Sequence, residues 1–345
     1  MAETLSDVQV VLNVENPSVP VNMGNLAVFV KGEQDGVQTF YSNDDLLSDF
    51  GENEAMKKIS EGFFSQDEHG EKLIVITYAS ALSTVAETYY QEGWEFATVV
   101  PGSDGESVQN DLIALANFTE AKGERFALVG LPATNETVSG IAETVKSYGK
   151  GKRTVVFVSG EDNKEAVYGV GALVGAVGNK TVGSVTWKFR TVGGVKPVDL
   201  NVTQIKKLHE AHAFTYVTKA NINQTSEGFT LAGEFIDALH GDDWIKASIE
   251  SELQSLLSSS EKVTYDATGI AQIDATVTTV LTAATTNGII EPNPETGAGT
   301  FTVTTVSRAD TPAADISERK YNGLSFEYTR SSAIHSVKVH GQINL

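Results

Sequence analysis

The 345 residues include no cysteine, which excludes disulfide staples, thiolate nucleophiles and every cysteine-ligated metal site together. Stability must come from packing and pairing. Long apolar runs are missing as well: no stretch reaches the roughly 20 residues that span a bilayer. The opening residues, MAETLSDVQV, lack the basic start and apolar core of a secretory leader. The expectation is a protein made and kept in the cytoplasm, with no membrane binding of its own. Basic residues are scarce, 25 Lys and Arg against 45 Asp and Glu, giving a formal charge of −20. Such a surface repels nucleic-acid phosphates and anionic lipids, so nucleic acid is not an expected partner.

What is present is ordinary globular material, 41% hydrophobic and 20% charged. A chain of this length exceeds one small core, so two or three packed units are expected. The charge is uneven. Acids crowd the stretch holding Asp44, Asp45, Asp49, Glu52, Glu54, Glu61, Asp67 and Glu68, while bases gather at Lys146, Lys150, Lys152 and Arg153. These are either two solvated faces or complementary patches by which copies of the chain meet.

Hydrophobic periodicity divides the chain. Val8, Val10, Leu12 and Val14 alternate with Gln9, Val11, Asn13 and Glu15, mostly the period-two pattern of a strand, until Pro17 and Pro20 stop it. A strand over 25–30 follows, then short helices over 45–50 and 53–64. From 73 the apolar runs 73–76, 96–100, 126–129 and 155–158 read as buried parallel strands, separated by helical spacing over 83–91, 105–116, 135–148 and 163–177. That alternation predicts an open, mostly parallel α/β sheet with helices on both faces. Beyond Gly183 an α+β unit is expected: strands over 185–189 and 214–218, and a helix over 203–211. A long helix capped by Asp242 and Asp243 follows, then a helix over 268–287 stopped by Gly288, and strands over 300–306 and 324–329. The organisation is an arm with first strands (1–32), an α/β domain (33–180), an α+β domain (181–330) and a terminal arm (331–345).

That terminal arm carries the clearest pattern. Val337, Val339, Gly341, Ile343 and Leu345 alternate with Lys338, His340, Gln342 and Asn344. Chain ends fray unless tied down, so strand-forming residues here expect a pairing partner, either within the subunit or on a neighbouring copy. The candidate interface residues are Val8, Val10, Leu12 and Val14 at one end, and Val337, Val339, Ile343 and Leu345 at the other.

The sequence holds no recognisable catalytic or ligand-binding motif. Gly169, Gly171 and Gly175 place Val174 where a dinucleotide fingerprint needs its third glycine, and they lie inside a helical segment, where Gly171 and Gly175 suit close helix packing. The run ending Lys180-Thr181 has Asn179 where a phosphate loop needs glycine. His209 and His212 are three apart, the wrong spacing for a zinc helix, and read as surface histidines. His240, Asp242 and Asp243 group a base with two carboxylates, but acids at a helix start stabilise its dipole without catalysing anything. No catalytic, cofactor or metal residues are nominated, and no enzyme activity is expected.

Several segments, in order, resemble the sheath proteins of contractile phage tails. They are YSNDDL from Tyr41, DFG from Asp49 and GFFSQ from Gly62; then AFTYVTK from Ala213, TSEG from Thr225, GEFID from Gly233 and the pair Asp243-Trp244; then GII from Gly288 and AIHSVKVHG from Ala333. Their shared order covers roughly residues 40–345; the first forty match only in character. The resemblance implies a subunit that stacks in hexameric rings around a tail tube protein and contracts to drive the tube through a target cell envelope. Its strand arms would be exchanged between copies, and the baseplate and tail terminator would be further partners. The implied location is the virion tail, assembled in the bacterial host cytoplasm. Two other readings stay open: another tail component such as the tube subunit, and a nucleotide-dependent enzyme built on the α/β half.

Overall fold

The computed structural model describes residues 24–102 and 107–340. In chain order the elements are β1 (Leu26–Lys31), β2 (Gly36–Phe40), α1 (Asn43–Phe50), α2 (Glu54–Phe64), β3 (Leu73–Tyr78), α3 (Leu82–Thr88), β4 (Phe96–Val100), α4 (Gln109–Lys122), β5 (Phe126–Leu131), α5 (Asn135–Ser147), β6 (Thr154–Val158) and α6 (Asn163–Val177). There follow α7 (Val202–Glu210), β7 (Phe214–Lys219), β8 (Ile222–Thr225), α8 (Ile236–Ser259), α9 (Ala267–Asn287), β9 (Phe301–Thr305), α10 (Ala313–Ser317) and β10 (Leu324–Tyr328).

An eight-stranded sheet, ordered β2-β3-β1-β4-β5-β6-β7-β8, forms the body. It is parallel from β3 to β7, with β2 and β8 antiparallel at the edges. Side chains alternate across a strand, and β1 uses both faces. Ala27 and Phe29 join a core with Val85 of α3, Leu115 of α4, Ile141 of α5 and Leu208 of α7. Leu26, Val28 and Val30 join the opposite core with Ile59 of α2, Leu173 of α6 and Ile236 of α8. Each of these side chains larger than alanine contributes about 1.5–3 kcal/mol by leaving water. Helices therefore cover both faces, as the strand–helix alternation predicts.

On one face α2 and α6 approach until backbone meets backbone. A Cβ at Gly171 would strike the Ile59 carbonyl, and one at Gly175 the Phe63 carbonyl, so these glycines serve helix packing. The sheet also draws strands from outside the expected 33–180 segment: β1 is inserted between β3 and β4, and β7 and β8 extend it. A third core joins Ile245 and Ile249 of α8 to Val277 and Leu281 of α9, with β9 and β10 laid over them as a separate antiparallel pair. Gly288, at φ 86°, ends α9 in the left-handed conformation that glycine adopts freely.

Three expectations need correcting. The 185–189 segment is not a strand: Phe189 sits at φ 66°, which turns the chain, although its N–H still donates to the Thr225 carbonyl. The long helix starts at Ile236, not at the Asp242–Asp243 pair, and both aspartates lie within it. His209 and His212 are half-buried: His209 bonds Ser226 Oγ at 3.0 Å and His212 bonds the Leu231 carbonyl at 2.9 Å.

Candidate assembly interface

The site begins with how α8 is held. Arg153, immediately before β6, forms a buried two-pronged ion pair with Asp243. Lys246, nearly one turn further along α8, reaches Glu124 at 2.6 Å in an equally buried pair just before Arg125 and β5. Glu95, directly before β4, is fully buried beside them, and burial pushes its carboxyl well above the usual carboxylate range. His240 packs its ring against Phe96 and Phe126, and burial, with Arg153 nearby, lowers its pKa to about 3. Burial likewise raises Asp243 to about 6, against the pull of Arg153. Arg153 is therefore an internal partner of α8 rather than part of a basic surface patch. Lys146 is exposed but pairs with Glu143 of its own helix at 2.6 Å.

The other side of α8 fixes the end of the chain. Asp242 accepts the Tyr328 hydroxyl at 2.6 Å and pairs with the Arg330 guanidinium. Arg330 bridges Ile290 in antiparallel fashion, and the Ser331 N–H donates to the Ile289 carbonyl at 2.8 Å. One more contact follows. His335, its side chain 14% exposed, places Nδ1 3.2 Å from Glu227 Oε2 and Nε2 2.8 Å from Thr186 Oγ1. Its ring meets Phe235 edge-on at 4.8 Å and Phe189 at 6.0 Å. Glu227 is shared with Lys188.

Past His335 the chain leaves the body. Val337 is 78% and Val339 85% exposed, and no backbone hydrogen bond joins residues 332–340 to any other described residue. Of the other candidate interface residues, Val8, Val10, Leu12, Val14, Ile343 and Leu345 lie outside the described residues. Nearby, β9 and β10 form a sheet of only two strands. Phe301, Val303, Leu324, Phe326 and Tyr328 face the third core, while Thr302, Thr304, Ser325 and Glu327 face outward. Among the described residues neither outer edge has a strand partner, and an unpaired edge is a template for one.

Among the described residues, the open end of the parallel sheet lacks one feature of a dinucleotide fold. After β1 the chain turns into antiparallel β2 instead of a helix, so no helix N-terminus follows β1 into the crevice where dinucleotide folds hold phosphate. Among the described residues no cluster of His, Asp and Glu could hold a metal ion, and no helix is long and apolar enough to cross a membrane.

This architecture, a helix-covered mostly parallel sheet followed by a helical pair and a small antiparallel sheet, is the fold of contractile sheath proteins. The chain matches one from the six-fold symmetrised baseplate of the anti-feeding prophage with a TM-score of 0.71 and 10% identity, covering 100% of both chains. It matches a chain of the PVC extracellular contractile injection system, a sheath complex in the contracted state, at 0.70 and 12% identity, over 99% of this chain and 98% of that one. A chain of the anti-feeding prophage helical sheath in the contracted state gives 0.64 at 11% identity, with 99% of each covered. At such identities the likeness is one of fold. By sequence, residues 236–342 match the model described as "E217 tail sheath protein gp31-like, C-terminal domain". The similarity thus runs from α8 into the terminal arm. No curated protein matches it by sequence.

Proposed function

We propose that this chain is the structural subunit of a contractile tail sheath, polymerising with copies of itself as stacked hexameric rings around a tail tube. It acts as a mechanical part and not as an enzyme, within the tail of a virion or related particle assembled in a bacterial cytoplasm. The tube protein, baseplate and tail terminator are its partners. The observation that carries this reading is the match of 236–342 to a tail sheath model, set within a fold whose likeness to chains of contractile sheath structures covers 99% of the length.

The molecule divides functionally into a rigid body, the α8–α9 unit with its small sheet, and arms at either end. The C-terminal arm, with Val337, Val339, Ile343 and Leu345, adds as a strand to the open β9–β10 sheet of a neighbour. The N-terminal arm, with Val8, Val10, Leu12 and Val14, acts in the same way. Backbone hydrogen bonds supply affinity in such strand addition, and alternate side chains set register. A two-stranded sheet is marginal by itself and gains most from further strands.

Contraction then needs no nucleotide. The sheath has two packings of one subunit; the extended packing lies higher in free energy and is held by a barrier, while the arms keep subunits linked as bodies rotate and slide. Electron microscopy of the purified, concentrated protein tests the assignment. Wide, short sheath-like tubes are expected, and narrow tubes would favour the tube-subunit reading instead. Micromolar nucleotide binding by calorimetry would favour the enzyme reading.

A further inference from the structure

We propose that His335 is the positioning residue that sets the register of the C-terminal arm. This rests on the reading that the arm is a strand donated to a neighbouring copy. His335 is the last described residue held by the body: both ring nitrogens are engaged, by Glu227 and Thr186, and the ring lies against Phe235. From 331 to 340 the chain runs without a bend or turn. In a paired strand, residues two apart share a face, so pairing of this segment would put His335, Val337 and Val339 on one side and Ser336, Lys338 and His340 on the other.

Seating the imidazole in its socket therefore fixes the direction in which the valine stripe points. A donated strand needs such a pin, because slipping the pairing by one residue moves every apolar side chain to the wrong face. Arg330, held by Asp242, lies five residues earlier, and the intervening 332–334 are exposed. The His335 socket thus governs the parity of the segment beyond it.

Insertions between Ser336 and Val337 test the assignment, with the critical concentration for assembly read by sedimentation and electron microscopy. One inserted alanine should raise that concentration by about tenfold or more, and two should return it to within about threefold of the parent, because only the odd insertion flips the stripe. His335→Ala should weaken assembly and make the one- and two-residue insertions behave alike. Each insertion on the parent background should melt as the parent monomer does, since it lies beyond the last contact. Equal effects of one and two insertions with His335 present, or a parity effect that survives His335→Ala, overturn the proposal while leaving strand donation intact. Assembly that persists after deletion of 336–345 rejects strand donation itself, and with it the pin.

Discussion

In β1, Leu26 through Val30 are buried and paired on both sides, by β3 and β4. Between 336 and 340 every residue is exposed and none is paired by a backbone hydrogen bond to a described residue. Both segments alternate or concentrate β-branched residues, so composition alone would place either in a sheet. What separates them is that β1 has its partner strands within the chain, whereas the partner proposed for the arm lies on another copy. On that proposal, burial in the lone subunit measures the body's stability, and exposure at the arm measures what assembly has left to gain.

The sharpest way to break that comparison is to remove the arm. Deleting 336–345, or Val339→Pro, which removes an amide donor, should abolish sheath formation in sedimentation assays. Monomer stability should stay within about 0.5 kcal/mol of the parent, as for surface changes generally. A body lesion should do the reverse. Asp243→Ala strands the Arg153 guanidinium in the interior and should cost about 3–5 kcal/mol in urea melts, while Arg153→Met with Asp243→Leu should recover most of the loss.

Acid should act on the same joint. His240 is held neutral in the fold, at about 3 against an ordinary 6.5, so the unfolded chain binds its proton first. Stability is thus present above 6.5 and falls as pH drops, by about 3 kcal/mol near pH 4. Asp243 works oppositely: raised to about 6, it takes up a proton in the fold before the unfolded chain does and offsets part of that loss. His240→Leu should leave stability at pH 7 near the parent value and flatten the acid limb of the Tm-versus-pH curve. The smallest effect belongs to the exposed Lys146–Glu143 pair, where Lys146→Ala should shift stability by about 0.5 kcal/mol or less.

The body was largely legible in the sequence because its strands are short apolar runs between helical spacings. The 73–76 and 155–158 runs lie within β3 and β6, and the 163–177 spacing gives α6. The helix of 268–287 was equally clear, from its apolar stripe and the glycine that stops it. What escaped was written in a different chemistry. The β7–β8 hairpin turns through Ala220 and Asn221, both at positive φ, and alanine gives no turn signal where asparagine–glycine would. The start of α8 was obscured because its buried face carries His240, Asp243, Lys246 and Glu250 among the apolar residues. Their partners Arg153 and Glu124 lie 90 and 122 positions away from Asp243 and Lys246. At the interface, the alternation of Val337 and Val339 was visible, but the His335 socket was not. It draws Thr186, Phe189, Glu227 and Phe235 from three separate stretches of chain.

A cryo-EM map of the assembled protein tests the central claim most directly. It should place Val337 and Val339 in a strand hydrogen-bonded to the β9–β10 sheet of an adjacent subunit, with His335 still seated in its own. An arm found folded onto its own subunit throughout the assembly would contradict the account.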